Sequence, residues 1–350
     1  MPAEKVSVVR FIELSTQFPV LDVRSPGEFN HAHIPGAYSF PLFTDDERKV
    51  VGTVYKQQGR EPAIKIGLDY FGVKMRRMVE EAESITNGKS KTMLVHCWRG
   101  GMRSAGVAWL LDLYGFKVYT LVGGYKSFRQ WVLGSFENSY QFRILGGYTG
   151  SGKTLLLHEL AAKNHCQVDL EDLAKHKGSA FGAAPDVPQP KQEMFENLLA
   201  LELKRKESAP FIWLEDESQR IGLVNLPNAL WTQMRSSPVY FIHIPFEARL
   251  DYIVREYGKL KKDQLAGGII RIQKRLGGLE TKTAMNHLME GNTRECFAIL
   301  LKYYDKLYLK GLNNRDNLQT LLTDIPLHSV DTASNAMQLL NLPELRLKGV

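Results

Sequence analysis

Short apolar runs alternate along the chain with stretches of helical period. Val20-Leu21-Asp22-Val23-Arg24, Lys91-Thr92-Met93-Leu94-Val95 and Val118-Tyr119-Thr120-Leu121 read as buried strands. Phe142-Arg143-Ile144-Leu145, Phe211-Ile212-Trp213-Leu214 and Val239-Tyr240-Phe241-Ile242-His243-Ile244 do the same further on. Lys65 to Ala82 places Ile66, Phe71, Met75, Met78 and Val79 at helical spacing, with Lys74, Arg76 and Arg77 on the other side, and predicts a helix there. Ala105–Leu111 and Leu155–Leu160 predict two more. Ser25 and Pro26 supply a helix cap and first helical position. Strands alternating with helices predict α/β folds with parallel sheets, whose functional loops lie at the carboxyl ends of the strands. The polar joint Phe136-Glu137-Asn138-Ser139 separates two such units, 1–137 and 138–350. The second continues from Lys259 into a helical, basic region carrying Lys261, Lys262, Arg271, Lys274 and Arg275. Helical spacing sets Arg271 and Arg275 on one face.

Composition narrows the class. The 350 residues suffice for two cores, and the formal net charge of +7 suits a polyanionic partner, nucleic acid above all. No apolar run is long enough to span a bilayer, and no apolar segment of signal-peptide type follows Met1-Pro2-Ala3-Glu4-Lys5. Three widely spaced cysteines, Cys97, Cys166 and Cys296, form neither a disulfide framework nor a metal-ligand pattern. A cytoplasmic, reducing setting is expected, in which a thiolate can work.

The first candidate site is the loop His96-Cys97-Trp98-Arg99-Gly100-Gly101-Met102-Arg103-Ser104, between a predicted strand and a predicted helix. Backbone N–H groups at a helix N-terminus favour an anion. Gly100 and Gly101 let the backbone curl inward, and Arg99 and Arg103 add charge. Such surroundings lower a thiol pKa and make Cys97 a nucleophile; a buried inert cysteine is the alternative. The second is Gly147-Tyr148-Thr149-Gly150-Ser151-Gly152-Lys153-Thr154, which matches G-x-x-x-x-G-K-[ST] and sits between a predicted strand and a predicted helix. Its N–H groups wrap a diphosphate, Lys153 reaches the outer phosphate, and Thr154 can hold Mg²⁺. The Phe211–Leu214 strand ends in Glu215-Asp216-Glu217; a carboxylate there could hold the metal through water. The three cannot be ranked from sequence, and Asp216 stands as the candidate. Arg249 or Arg271 could close over a phosphate, with surface charge as the alternative. Leu173 to Pro190 reads as a long loop, either a lid or a plain connection. The chain after about Asn313 offers no chemistry that can be named.

Leu21-Asp22-Val23-Arg24-Ser25-Pro26-Gly27-Glu28-Phe29, His33-Ile34-Pro35-Gly36-Ala37 and the Cys97 loop together resemble a rhodanese domain over roughly residues 10–135. Five residues separate Cys97 from Arg103, one more than in common sulfurtransferases, and in this the loop resembles rhodanese-related phosphatases. Joined to the Gly147–Thr154 loop and to His176-Lys177-Gly178-Ser179-Ala180-Phe181-Gly182, the chain resembles the tRNA 2-selenouridine synthase family. That resemblance implies a rhodanese-like parallel-sheet domain followed by a P-loop NTPase-like α/β domain with a helical C-terminal region. It implies action on wobble 2-thiouridine of tRNAs for lysine, glutamate and glutamine: S-geranylation from geranyl diphosphate, then exchange of the S-geranyl group for selenium from selenophosphate. A selenophosphate supplier is the implied partner. The mechanism expected here, which the resemblance itself does not imply, has the Cys97 thiolate take selenium as Cys–S–Se⁻ in a cradle of Gly100, Gly101 and Arg103. The rival readings are a rhodanese-type phosphatase fused to an ATP-dependent kinase, and a non-catalytic tRNA-binding module.

Overall fold

The computed structural model describes residues 3–88, 90–176 and 187–345. It divides into two compact units, Met1–Phe136 with Glu193–Leu201, and Glu137–Gln192 with Glu202–Val350. The Glu193–Leu201 segment therefore groups with the first unit, whereas the polar-joint reading leaves it in the second. Its fully buried Asn197 donates to the His33 carbonyl at 2.9 Å and to the Tyr125 hydroxyl at 2.8 Å.

The first unit is a parallel sheet of β1 (Glu4–Val6), β2 (Val20–Asp22), β3 (Tyr38–Ser39), β4 (Thr92–His96) and β5 (Lys117–Leu121), in the order β1-β5-β4-β2-β3. Strands covered on both faces need apolar side chains at nearly every position, and Met93, Leu94 and Val95 are each fully buried. Register puts Asp22 of β2 opposite His96 of β4, so the chain leaving β2 lies beside the Cys97 loop. The predicted helix over Lys65–Ala82 is two helices, Arg60–Gly72 and Met75–Thr86. Between them the Lys74 N–H closes a tight turn onto the Phe71 carbonyl, and the Lys74 ammonium is tied to Glu47 and the Leu42 carbonyl. Periodicity carries across that break because the apolar stripes of both helices face one core.

In the second unit β6 (Phe142–Gly147), β7 (Gln167–Val168), β8 (Ile212–Glu215), β11 (Val239–His243) and β12 (Leu322–Pro326) form a parallel sheet in the order β12-β11-β6-β8-β7; β9 (Arg220–Ile221) and β10 (Val224–Asn225) are a separate antiparallel pair. β6 is central. The chain passes from it to one edge and returns on its other side, so the carboxyl end of β6 is a switch point of the kind at which α/β sheets bind ligands. β12 lies in the tail that sequence reading leaves blank. The basic region is a helical array, Lys262–Leu276, Gly278–Glu290 and Thr293–Asn313, which follows the Phe246–Tyr257 helix.

Candidate functional site

Cys97 follows β4 directly, and the Met102–Leu113 helix begins five residues later. Its Sγ accepts the Gly101 N–H at 3.3 Å and lies 3.3 Å from the Ser104 hydroxyl. Two glycines make this curl possible. Gly100 has φ +65°, and a Cβ there would lie 2.6 Å from the Leu121 carbonyl oxygen. Gly124 has φ +61°, and a Cβ there would lie 2.4 Å from both the Cys97 carbonyl oxygen and the Gly100 nitrogen. The chain after β5 thus braces the Cys97 loop, and the Tyr125 and Lys126 N–H groups donate to the carbonyls of Cys97 and Trp98. In the sequence Gly123-Gly124 marks only the end of a strand.

Burial opposes ionisation of Cys97. The Ser104 hydroxyl, the backbone N–H groups of Ser104 and Arg99 and the charge of Arg103 outweigh it, and the thiol pKa is lowered. What Arg99 brings to the sulfur is its backbone N–H; its side chain is exposed. Arg103 is aimed by Glu28, which accepts from its guanidinium at 2.9 Å and also pairs with Arg48. Glu28 is the fourth residue of Ser25-Pro26-Gly27-Glu28, and its Oε2 also accepts the Ser25 N–H at 3.1 Å. Behind the loop, buried Arg24 forks onto buried Asp22 and lies 3.8 Å over the Tyr125 ring. Sequence reading names neither Glu28 nor the Asp22–Arg24 pair as site residues, although all three stand in the stretch that resembles a rhodanese.

The Gly147–Thr154 loop runs from β6 into the Lys153–Ala162 helix. Lys153 Nζ donates to the Gly147 carbonyl at 3.0 Å, and the Ser151 hydroxyl to the Tyr148 carbonyl at 2.6 Å. Thr154 Oγ1 donates to Glu215 Oε1 at 2.7 Å. β8 lies next to β6 with Leu145 opposite Glu215, so its terminal carboxylate is delivered to the loop. The acid on Thr154 is therefore Glu215, not Asp216. Alternation along the chain turns Asp216 elsewhere, to an ion pair with buried Arg315 and a 2.7 Å hydrogen bond from Tyr308.

Oxygen atoms of Glu171, Glu215 and Glu217 come within 4.8 Å of one another. Burial raises the pKa of Glu215, against the pull of Lys153 and Thr154. Burial, then Glu215 and Glu171, raise that of Glu217 further. A hard divalent cation relieves such crowding, and the hydroxyl and carboxylate oxygens of Thr154 and Glu215 suit Mg²⁺. Arg249 is not free to close over a phosphate. It is buried, forked onto Asp305 at 2.8 and 2.9 Å, and donates to the Thr149 carbonyl at 2.9 Å, which props the loop. Arg271 is exposed, with its Nε on the Gly267 carbonyl. A cavity of about 1600 Å³ opens over the loop and includes Gly150 to Thr154, the three glutamates and His176 in its lining. Residues 177–186, with most of the His176–Gly182 motif, lie outside the described residues.

Residues 9–130 match the rhodanese-like domain, and residues 140–325 match the tRNA 2-selenouridine synthase AAA domain. The chain belongs to the tRNA 2-selenouridine synthase family. The tRNA 2-selenouridine synthase of Nitrosomonas europaea is 33% identical over 85% of this chain and 90% of its own length. That of Serratia proteamaculans is 36% identical over 83% and 86%, and that of Bdellovibrio bacteriovorus 35% over 85% and 89%. This chain is an enzyme of that family and carries a rhodanese-like and a P-loop-like domain. Among the described residues no helix is long and apolar enough to cross a membrane.

Proposed function

We propose that this chain converts the wobble 2-thiouridine of tRNAs for lysine, glutamate and glutamine to 2-selenouridine in two steps, in the cytoplasm. In the first, the thiocarbonyl sulfur attacks C1 of geranyl diphosphate. The S–C1 bond forms, the C1–O bond breaks, diphosphate leaves with the electron pair, and the N3 proton is lost. Lys153 and the N–H groups of the Gly147–Thr154 loop bind the diphosphate and neutralise the charge that develops on it. Thr154 and Glu215 would hold Mg²⁺, which when bound supplies further positive charge to the departing group.

The second step takes selenium from selenophosphate, delivered by a supplying enzyme. A Cys–S–Se⁻ species at Cys97 does not balance with phosphate as product: forming an S–Se bond from selenide-level selenium expels phosphorus as phosphite. Attack of the Cys97 thiolate at phosphorus does balance. The S–P bond forms, the P–Se bond breaks, and hydroselenide is released as nucleophile. The Gly101 N–H and Arg103 hold the phosphoryl oxygens, and water later frees phosphate. Selenium then adds at C2 and geranyl thiol leaves. Alkylation in the first step is what makes that sulfur a leaving group.

The observation that carries this reading is a thiol of lowered pKa held by the Gly101 N–H and the Ser104 hydroxyl, on the same chain as a G-x-x-x-x-G-K-[ST] loop whose Thr154 bonds a buried glutamate. The test is mass spectrometry of nucleosides after incubation with thiolated tRNA. Geranyl diphosphate alone should yield S-geranyl-2-thiouridine, and adding selenophosphate should yield 2-selenouridine. Selenium incorporation at full rate without geranyl diphosphate would overturn the order of steps. Phosphate release from a phosphoprotein, lost in Cys97→Ser, would instead favour the phosphatase reading.

A further inference from the structure

The cavity over the phosphate loop has a mixed lining. Lys153, Thr154 and the glutamates belong to it. So do Tyr252, Ile253, Tyr257, Phe297, Leu300 and Tyr304, a wall drawn from the Phe246–Tyr257 and Thr293–Asn313 helices, in which Ile253, Phe297 and Leu300 are buried in the core that the helices share and Tyr257 feels the charge of Glu171. Both helices begin their wall at the phosphate loop itself. Ile253 is packed so close to Gly150 that a Cβ there would lie 2.7 Å from its Cδ1. Tyr308 accepts the Gly147 N–H at 3.1 Å, and its ring lies 5.8 Å from the Lys153 ammonium. From Tyr308 the residues at Tyr304, Leu301, Leu300 and Phe297 follow helical spacing along one face. That face runs about 16 Å from Tyr308 to Phe297 at the α-helical rise. At its far end the rings of Tyr257 and Phe297 meet with centroids 6.5 Å apart, joining the two helices.

We propose that this wall is the binding site for the prenyl tail of an allylic diphosphate, with the diphosphate on the Gly147–Thr154 loop and the tail running toward the Tyr257–Phe297 pair. The inference rests on the reading that this loop serves geranyl diphosphate, and it adds where the hydrocarbon goes. Charge fixes the direction: cationic Lys153 and the loop N–H groups select the anionic head, and the aromatic and aliphatic wall takes the apolar remainder. Removing the tail from water is the dominant favourable term for such a ligand. Aromatic faces beside the allylic carbon also suit the positive charge that develops there as diphosphate departs.

The test is equilibrium binding of the full chain to inorganic diphosphate, dimethylallyl diphosphate and the unreactive geranyl S-thiolodiphosphate, with ATP as comparison. Each carbon buried is worth about fourfold in affinity, so the geranyl compound should bind at least tenfold tighter than the dimethylallyl one. Tyr304→Ala and Tyr257→Ala should each cut geranyl affinity about tenfold and leave inorganic diphosphate affinity unchanged, which also reports that the loop is folded. Tyr304→Phe should keep the tail preference. If tail dependence persists in both alanine variants, the tail binds elsewhere and this site is wrong, while the geranylation reading stands. If the wild type binds inorganic diphosphate or ATP as well as the geranyl compound, the site and the reading fall together. If both variants lose inorganic diphosphate as well, the wall is structural and the proposal fails.

Discussion

The groups that lower the Cys97 thiol pKa come from two distances along the chain. Gly101 and Ser104 lie within one loop of it, whereas Arg103 is aimed by Glu28, 75 residues away. The lowered pKa means that alkylation by iodoacetamide should have its pH midpoint below that of an ordinary thiol. Ser104→Ala should raise that midpoint; an unchanged profile would show that the hydroxyl does not hold the thiolate. Cys97→Ser should abolish selenium incorporation and let S-geranyl tRNA accumulate. If Cys97 acts at phosphorus, added hydroselenide should restore 2-selenouridine in that variant, and failure of this rescue would return the thiol to the role of selenium carrier. In the second unit, Lys153→Ala should slow geranyl transfer by about 10²–10³, roughly 2–4 kcal/mol of transition-state stabilisation. Normal transfer by that variant would mean the loop serves another ligand. Asp216 and Glu215 show how neighbours part company: adjacent in sequence, one anchors Arg315 and Tyr308 while the other bonds Thr154.

Among the elements, β2 and β4 carry the thiol site on a buried charge pair. Burial works against an ionised Asp22, yet His96 and the Arg24 guanidinium hold its carboxyl below the usual carboxylate range. Its contribution to stability is therefore present above the unfolded carboxylate pKa and is lost as pH falls through the lower folded value. Asp22→Asn leaves Arg24, 1% exposed, without its counter-charge. The loss of stability should be about 3–5 kcal/mol, read by denaturant unfolding. A loss below 1 kcal/mol would show that water or another acid takes over the pair. Helix boundaries were the least legible feature at this scale. The apolar spacing of Lys65–Ala82 does not reveal the break after Gly72, because the break is held by Lys74 reaching Glu47 and Leu42, well apart in sequence.

On the scale of the whole molecule, a net charge of +7 suits the tRNA substrate of the proposed reaction. Lys74, Arg76 and Arg77 form one basic candidate face, on which Lys74 is engaged by Glu47 while Arg76 makes only an exposed pair with Glu80. Lys274 and Arg275, in the last turn of the Lys262–Leu276 helix, are exposed. If they contact phosphates, log affinity for tRNA should fall with log salt at about 0.7–0.9 per contact. Replacing both by Ala should weaken binding and flatten the slope by about one to two units, with little change in which modified base is accepted. An unaltered slope would place the anticodon arm on another surface.

By itself the sequence determined both phosphate-and-thiol loops, the parallel α/β character of each unit and the family, because these depend on short-range patterns: apolar runs, glycine spacing and the residue that follows a strand. The tertiary structure alone decided which acid reaches Thr154, what aims Arg103, that Arg249 props the loop, and that Arg315 of the unassigned tail grips Asp216. The physical reason is common to all four. Each partner lies far off in the chain and is brought in by strand register or helix packing, which no local pattern encodes; for Arg249 and Arg315, which are buried, a charge without its partner would also be unstable.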